Sequence, residues 1–217
     1  MRQLHELINE SEPAWPLVQQ WISEAAVQVE VLPIERKIAE TALLATQVTT
    51  RSPMGAIVLN SAGIFIDHGW LRILGGGGHA RFQRSLPTWN EGRSDGFYLV
   101  ADDVLGGSFA LNGGALGDDL KNIYYFAPDS LRWEPCEFGY SQFLIWVVST
   151  NIAKFYESMR WPNWESEVRK LPGDKAINIY PFLWANGPPI ADRSRRAVPV
   201  AEIYHLQFDT KGQLESS

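Results

Sequence analysis

The sequence predicts an α+β fold: a mostly antiparallel, twisted sheet flanked by N-terminal and C-terminal helices. Three observations predict it. Helical spacing of apolar residues dominates the first quarter of the chain. Strand-like runs separated by Asp/Gly-rich turns fill the centre. A long apolar stripe at helical spacing follows from Ser141. The central connections are too short for a parallel crossover, so neighbouring strands pair antiparallel.

In order along the chain, Leu4, Leu7 and Ile8 recur at helical spacing, and turn chemistry over 9–13 ends that segment. A second helix starts within 13–16, where proline is tolerated, and buries Leu17, Val18, Trp21 and Ile22. A third covers 35–45, with Ile38, Ala42 and Ala45 on its packing side. From Gln47 the period changes, and 48–50, 56–59, 63–66 and 70–74 read as strands. Gly75 to Gly78 reads as a flexible loop. The stretch 81–93, with Pro87, Asn90 and Gly92 and no clean period, reads as a surface excursion.

Strands at 96–101, 108–111, 123–126 and 131–136 form a meander. The helix over 141–157 carries Phe143, Leu144, Val147, Val148, Ile152 and Phe155 on one stripe, with Ser141 as N-cap. A strand at 177–184, a break at Gly187, Pro188 and Pro189, and a last strand at 203–208 complete the chain. A length of 217 residues predicts a single domain over 1–217, with a C-terminal extension from about 159 to 217.

Composition narrows the function. A formal charge of -6 and a pI near 5.3 disfavour a surface that attracts nucleic acid and favour a basic partner. No apolar run approaches the roughly 18 residues of a membrane span, and the N-terminus lacks a signal-peptide pattern. The single cysteine, Cys136, has no internal disulfide partner. Together these predict a cytoplasmic protein without membrane contact.

Asp102 and Asp103 beside Gly106 and Gly107, and Asp118 and Asp119 after Gly113 and Gly114, are the obvious carboxylates for a hard cation. Their spacing fits no EF-hand loop and reads as tight turns, so neither a metal nor a cofactor is expected. The glycine run before His79 lacks the Lys-Ser/Thr ending of a phosphate loop. Asp67 and His68 are adjacent in a strand and so point apart. Ser141 lacks the closing glycine of a nucleophile elbow. No catalytic residue is assigned.

The basic cluster Arg193, Arg195 and Arg196 either grips an anion or is a solvated loop. Among nine tryptophans, Trp21 and Trp70 fit core positions. Trp89, Trp161 and Trp164 lie among prolines, asparagines and charges, as lids over the core or as interface anchors. The partner-binding candidates are therefore Asp102, Asp103, Asp118, Asp119, Trp89, Trp161 and Trp164. A ligand-binding alternative builds a cleft from Asp102, Asp103, His68, His79, Arg193, Arg195 and Arg196.

The segments 96–113, 123–129 and 139–144 resemble the SUKH superfamily, in which a strand enters an acidic, Gly-containing turn, further strands follow, and a Ser-x-Phe-Leu segment opens a helix. Asp102, Asp103, Gly106 and Gly107 match the turn, and Ser141, Phe143 and Leu144 match the helix start. That resemblance implies a SUKH-like fold over about 39–157 and a protein partner, such as a basic toxin neutralised by an immunity protein. Over nearly its full length the chain resembles the uncharacterised bacterial domain-of-unknown-function family 2625, through 47–55, 67–72, 124–130 and 180–184. That resemblance implies no activity.

Overall fold

The computed structural model describes residues 1–93 and 95–215. The chain opens with α1 (Leu4–Leu7) and α2 (Trp15–Ser23), enters the sheet at β1 (Val29–Leu32), leaves it for α3 (Arg36–Thr46) and α4 (Pro53–Asn60), and returns as β2 (Gly63–Ile66) and β3 (Leu71–Leu74). After α5 (Leu86–Asn90) come β4 (Phe97–Asp103), β5 (Ser108–Asn112), β6 (Asn122–Ala127) and β7 (Arg132–Gly139). Then follow α6 (Tyr140–Val147), α7 (Asn151–Phe155), α8 (Trp164–Val168), the hairpin β8 (Lys175–Tyr180) and β9 (Ser194–Pro199), and α9 (Val200–Glu215). Among the described residues β1 to β7 form one sheet in chain order, every pair antiparallel. No helix among them is long and apolar enough to cross a membrane.

Alternation along each strand gives the sheet two buried faces. On one, Ile64, Ile66 and Ile73 face α2, α4 and α6 through Val18, Ile57 and Leu144, and Phe109 packs 4.9 Å from the Phe143 ring. On the other, Phe65 meets Phe82 at 5.5 Å and Phe126 stacks on Phe208 of α9 at 4.4 Å. The C-terminal residues thus complete a layer. Ile177 N donates to Val104 O at 2.6 Å and Gly173 N to Arg81 O at 2.7 Å, tying that layer to the sheet.

Several elements differ from the sequence expectation. Residues 56–59 form part of α4, because Pro53 and the Ser52 side chain, which accepts from Gly55 N at 3.2 Å, start a helix there. Buried on all sides, that helix shows no polar face to reveal its period. Residues 48–50 are a connection in which Thr50 Oγ1 accepts from Asn9 N. β1 and β9 stand where no strand is expected, and residues 203–208 belong to α9, where Ile203, Tyr204 and Gln207 are buried at helical spacing.

The helix over 141–157 is two helices. Ser149 Oγ donates to Trp146 O at 2.7 Å and accepts from Asn151 N at 3.2 Å, so side-chain bonds replace the helical ladder at the break. Gly139 occupies the N-cap position of α6, and Ser141 is exposed and caps nothing. The packing face of α3 is Ala39, Ala42 and Leu43, with Ala45 exposed, and Leu17 of α2 is 44% exposed.

The glycine loop is close-packed. A Cβ on Gly75 would stand 2.5 Å from Ser61 O, and one on Gly77, which has φ +73°, 2.6 Å from Gln83 O. The stretch after it is interior too: Phe82, Leu86, Trp89 and Asn90 are buried, and Asn90 Nδ2 donates to Leu99 O while its Oδ1 accepts from Leu99 N.

Candidate functional site

Asp102 and Asp103 end β4 as consecutive strand residues, so they point to opposite faces of the sheet. Both are buried, at 1% and 0% exposure. On the first face Asp102 lies between two arginines. Arg72 Nε donates to Asp102 Oδ1 at 2.7 Å, and Arg84 Nη1 donates to Oδ2. Arg72 also donates to Lys175 O at 2.9 Å and to Asp103 O at 2.8 Å, and Arg84 to Gly173 O at 2.9 Å. The two guanidinium forks clamp residues 173–175 onto the strands. Asp174 completes the clamp, accepting from Gln83 N at 2.7 Å.

On the second face Asp103 is a four-way acceptor. Oδ2 receives the hydroxyls of Tyr125 at 2.7 Å and Tyr156 at 2.9 Å; Oδ1 receives Leu105 N at 2.8 Å and Gly107 N at 3.0 Å. The backbone pair shapes the turn between β4 and β5, where Gly106 has φ +89°. Burial pushes the Asp103 carboxyl above its usual value, against the pull of these bonds. Burial, with the adjacent carboxyl second, raises the Tyr125 and Tyr156 hydroxyls well above theirs. Both oxygens of the Asp103 carboxylate are thus engaged by the chain itself.

The remaining sequence candidates are dispersed. Asp119 accepts from Tyr124 Oη, Asn122 Nδ2 and Asn112 Nδ2, and the Tyr124 hydroxyl foremost holds its carboxyl below the usual value. Asp118 is exposed. Asp67 pairs with Arg160, and His68 Nδ1 lies 2.7 Å from Arg169 Nη2; the two neighbours sit in a 3-10 turn at φ +51° and +62° rather than in the expected strand, and engage different partners. His79 Nδ1 accepts from Arg81 N at 3.2 Å. Arg193 donates to the carbonyls of Pro181, Phe182 and Pro188, and Arg195 to Ile190, Ala191 and Arg193, so both brace the β8–β9 connection and only Arg196 is exposed. The ligand-binding alternative therefore lacks a shared cleft: its members serve separate elements.

Of the tryptophans, Trp89 and Trp161 are 6% and 2% exposed, and Trp164 is half-buried with its ring 5.0 Å from that of Trp70. They are lids over the core. Arginines cover them: Arg84 lies 4.6 Å from the Trp89 ring centre, Arg160 4.1 Å from Trp164 and Arg195 4.9 Å from Trp161.

Among the described residues the surface carries several concavities, including an open one of about 1000 Å³ between α1 and the residues around Thr49. A groove of about 700 Å³ runs between α3 and α5, lined by Lys37, Ile38, Thr41, Gln83 and Thr88. A smaller cavity, about 190 Å³, opens where β7 bulges away from β6; the register jumps from Tyr124↔Pro135 to Asn122↔Gly139, and Glu137 has φ +61°. Its walls are Tyr125, Phe138, Trp146 and Phe155, with Glu134 and Cys136 between them. Phe155 is 41% exposed and stands edge-on to Trp146 at 5.2 Å and to Tyr125 at 5.2 Å. Burial, then the neighbouring Glu134 charge, pushes the Cys136 thiol up to about 12. Sequence reasoning missed this cavity. Phe155 falls on the apolar stripe of one continuous helix in the sequence, whereas the break after Val147 leaves it 41% exposed.

Fold and site define a class: an antiparallel meander with helical layers on both faces, in which the Asp102 and Asp103 carboxylates are buried in ion pairs and hydrogen bonds. The chain belongs to the family described as protein of unknown function DUF2625, whose model matches residues 4–203. It is 44% identical over 214 residues to a putative uncharacterized protein YbfG of Escherichia coli strain K12, covering 97% of this chain and 98% of the relative. It is 36% identical over 223 residues to an uncharacterized protein of Haemophilus influenzae, covering 99% of this chain and 97% of that one. No solved structure matches it.

Proposed function

We propose that the chain is a non-catalytic binding protein that engages a basic protein, in the manner of an immunity protein that neutralises a toxin. The observation that carries this reading is the distribution of charge. Arg72, Arg84, Arg160, Arg193 and Arg195 are drawn onto internal carboxylates, carbonyls and rings, whereas Glu10, Glu24, Glu91, Asp118, Asp129, Glu134, Glu137 and Glu157 are exposed. With a net charge of -6, the outward field is acidic and steers a cationic partner towards the surface. The SUKH resemblance of 96–144 supports the same class of partner. Catalysis needs convergent reactive groups, and the carboxylates that suggested it are consumed in turns and clamps.

Co-expression with a basic toxin encoded beside the gene tests the reading. Restored growth together with a recoverable complex is the expected result. A toxin that kills unabated, with no complex formed, overturns it.

A further inference from the structure

Four times among the described residues an arginine pairs with a carboxylate while its guanidinium lies over an aromatic ring. Arg81 pairs with Glu30 at 2.7 Å and lies 5.1 Å from the Phe65 ring centre. Arg84 pairs with Asp102 and covers Trp89; Arg160 pairs with Asp67 and covers Trp164; Arg195 approaches Glu167 at 3.7 Å and covers Trp161. The cavity beside β7 repeats the two receiving parts of this arrangement, an aromatic wall and a carboxylate. Among the described residues no arginine or lysine lies over its rings or pairs with Glu134, whose Oε1 is engaged only by the Ser130 hydroxyl at 3.1 Å.

We propose that this cavity receives an arginine side chain of the partner protein. Resting on the binding-protein reading, the proposal names the contact that reading lacks. A planar guanidinium suits the site on three counts. It can lie flat against one ring of the wall, Trp146 or Phe155, which stand at 83° to each other, its fork donates to the Glu134 carboxylate, and it is weakly enough hydrated to leave water for an aromatic-walled space. A cavity of about 190 Å³ has room for the guanidinium and the end of its stem. The acidic field, to which exposed Glu137 of the same strand contributes, favours a cation over a neutral planar group.

The test is an NMR titration of the intact chain, following the tryptophan indole N–H resonances with Nα-acetylarginine amide as probe. Nα-acetylcitrulline amide serves as the neutral isostere and Nα-acetyllysine amide as the non-planar cation. The arginine probe is expected to shift the Trp146 indole saturably while the Trp70 indole stays in place. The citrulline and lysine probes should each bind at least about fivefold more weakly. Glu134→Gln, at an exposed position, should weaken the arginine probe several-fold without changing the fold, and Phe155→Ala should remove the shift. No saturable shift at Trp146, or equal binding of the citrulline or lysine probe, overturns the proposal. A complex with a basic protein that tolerates both variants also overturns it while leaving the binding-protein reading in place. A saturable arginine site in a chain that holds no basic protein would uphold the pocket and overturn the broader reading.

Discussion

Asparagine at position 102 would leave two guanidinium groups buried around a neutral amide. Arg72 is 1% exposed and its side chain reaches Asp102 at 2.7 and 2.5 Å; the Arg84 side chain is 8% exposed and bonds the other carboxylate oxygen. An amide offers one acceptor where the carboxylate offers two, so one arginine faces an N–H group and both lose the compensating charge. Breaking a buried ion pair from one side costs about 3–5 kcal/mol. For a chain of this size each kcal/mol lowers the melting temperature by about 2–4 °C, so Asp102→Asn should melt roughly 6–20 °C early. Calorimetry and urea unfolding followed by circular dichroism measure it. The exposed Arg36–Glu40 pair provides the contrast, since Glu40→Gln should cost no more than about 0.5 kcal/mol. Because the clamp holds residues 173–175, the variant should also be cut sooner by protease around the β8–β9 hairpin. A melting temperature within about 2 °C of the parent would refute the clamp.

The Asp103 hub carries the opposite pH signature. Its carboxyl is raised in the folded state, so its contribution to stability is full below the unfolded value of 3.8 and is lost as pH rises through the folded value. The stability of the parent relative to Asp103→Asn should therefore increase as pH falls from 7 towards 4, read by urea unfolding at stepped pH; a difference that shrinks in acid would contradict this. Cys136, with its thiol pushed up to about 12, is expected to react with iodoacetamide at pH 8 at least tenfold more slowly in the folded chain than in urea. Equal rates would show that the thiol is neither buried nor influenced by Glu134.

The central meander is legible because its strands are short apolar, aromatic-rich runs and each turn between them carries Gly or Asp with a local reason to turn. Where burial erases the polar face, the sequence loses its period. Thus α4 reads as a strand until Ser52 and Pro53 are recognised as a helix start. The same loss hides the interior character of Phe82 and Trp89, which long-range packing against Phe65 and Tyr204 decides. Asp102 and Asp103 are separable in advance by the alternation of side chains along a strand, once β4 is carried to its last residue. The arginine partners could not: Arg72 and Arg84 are 30 and 18 positions from Asp102, and only the folded register brings them together. The cavity beside β7 depends on a bulge and a helix break, neither of which has a strong local signature.

Isothermal titration of the intact chain against the most basic protein encoded beside its gene decides whether the acidic surface binds a cationic partner. The expected complex weakens as salt is raised from 50 to 300 mM, because an acidic surface meets a cationic one. This basis of binding also requires several-fold weaker binding by Glu134→Gln. A complex indifferent to both salt and Glu134, or no heat of binding at any salt, would contradict it.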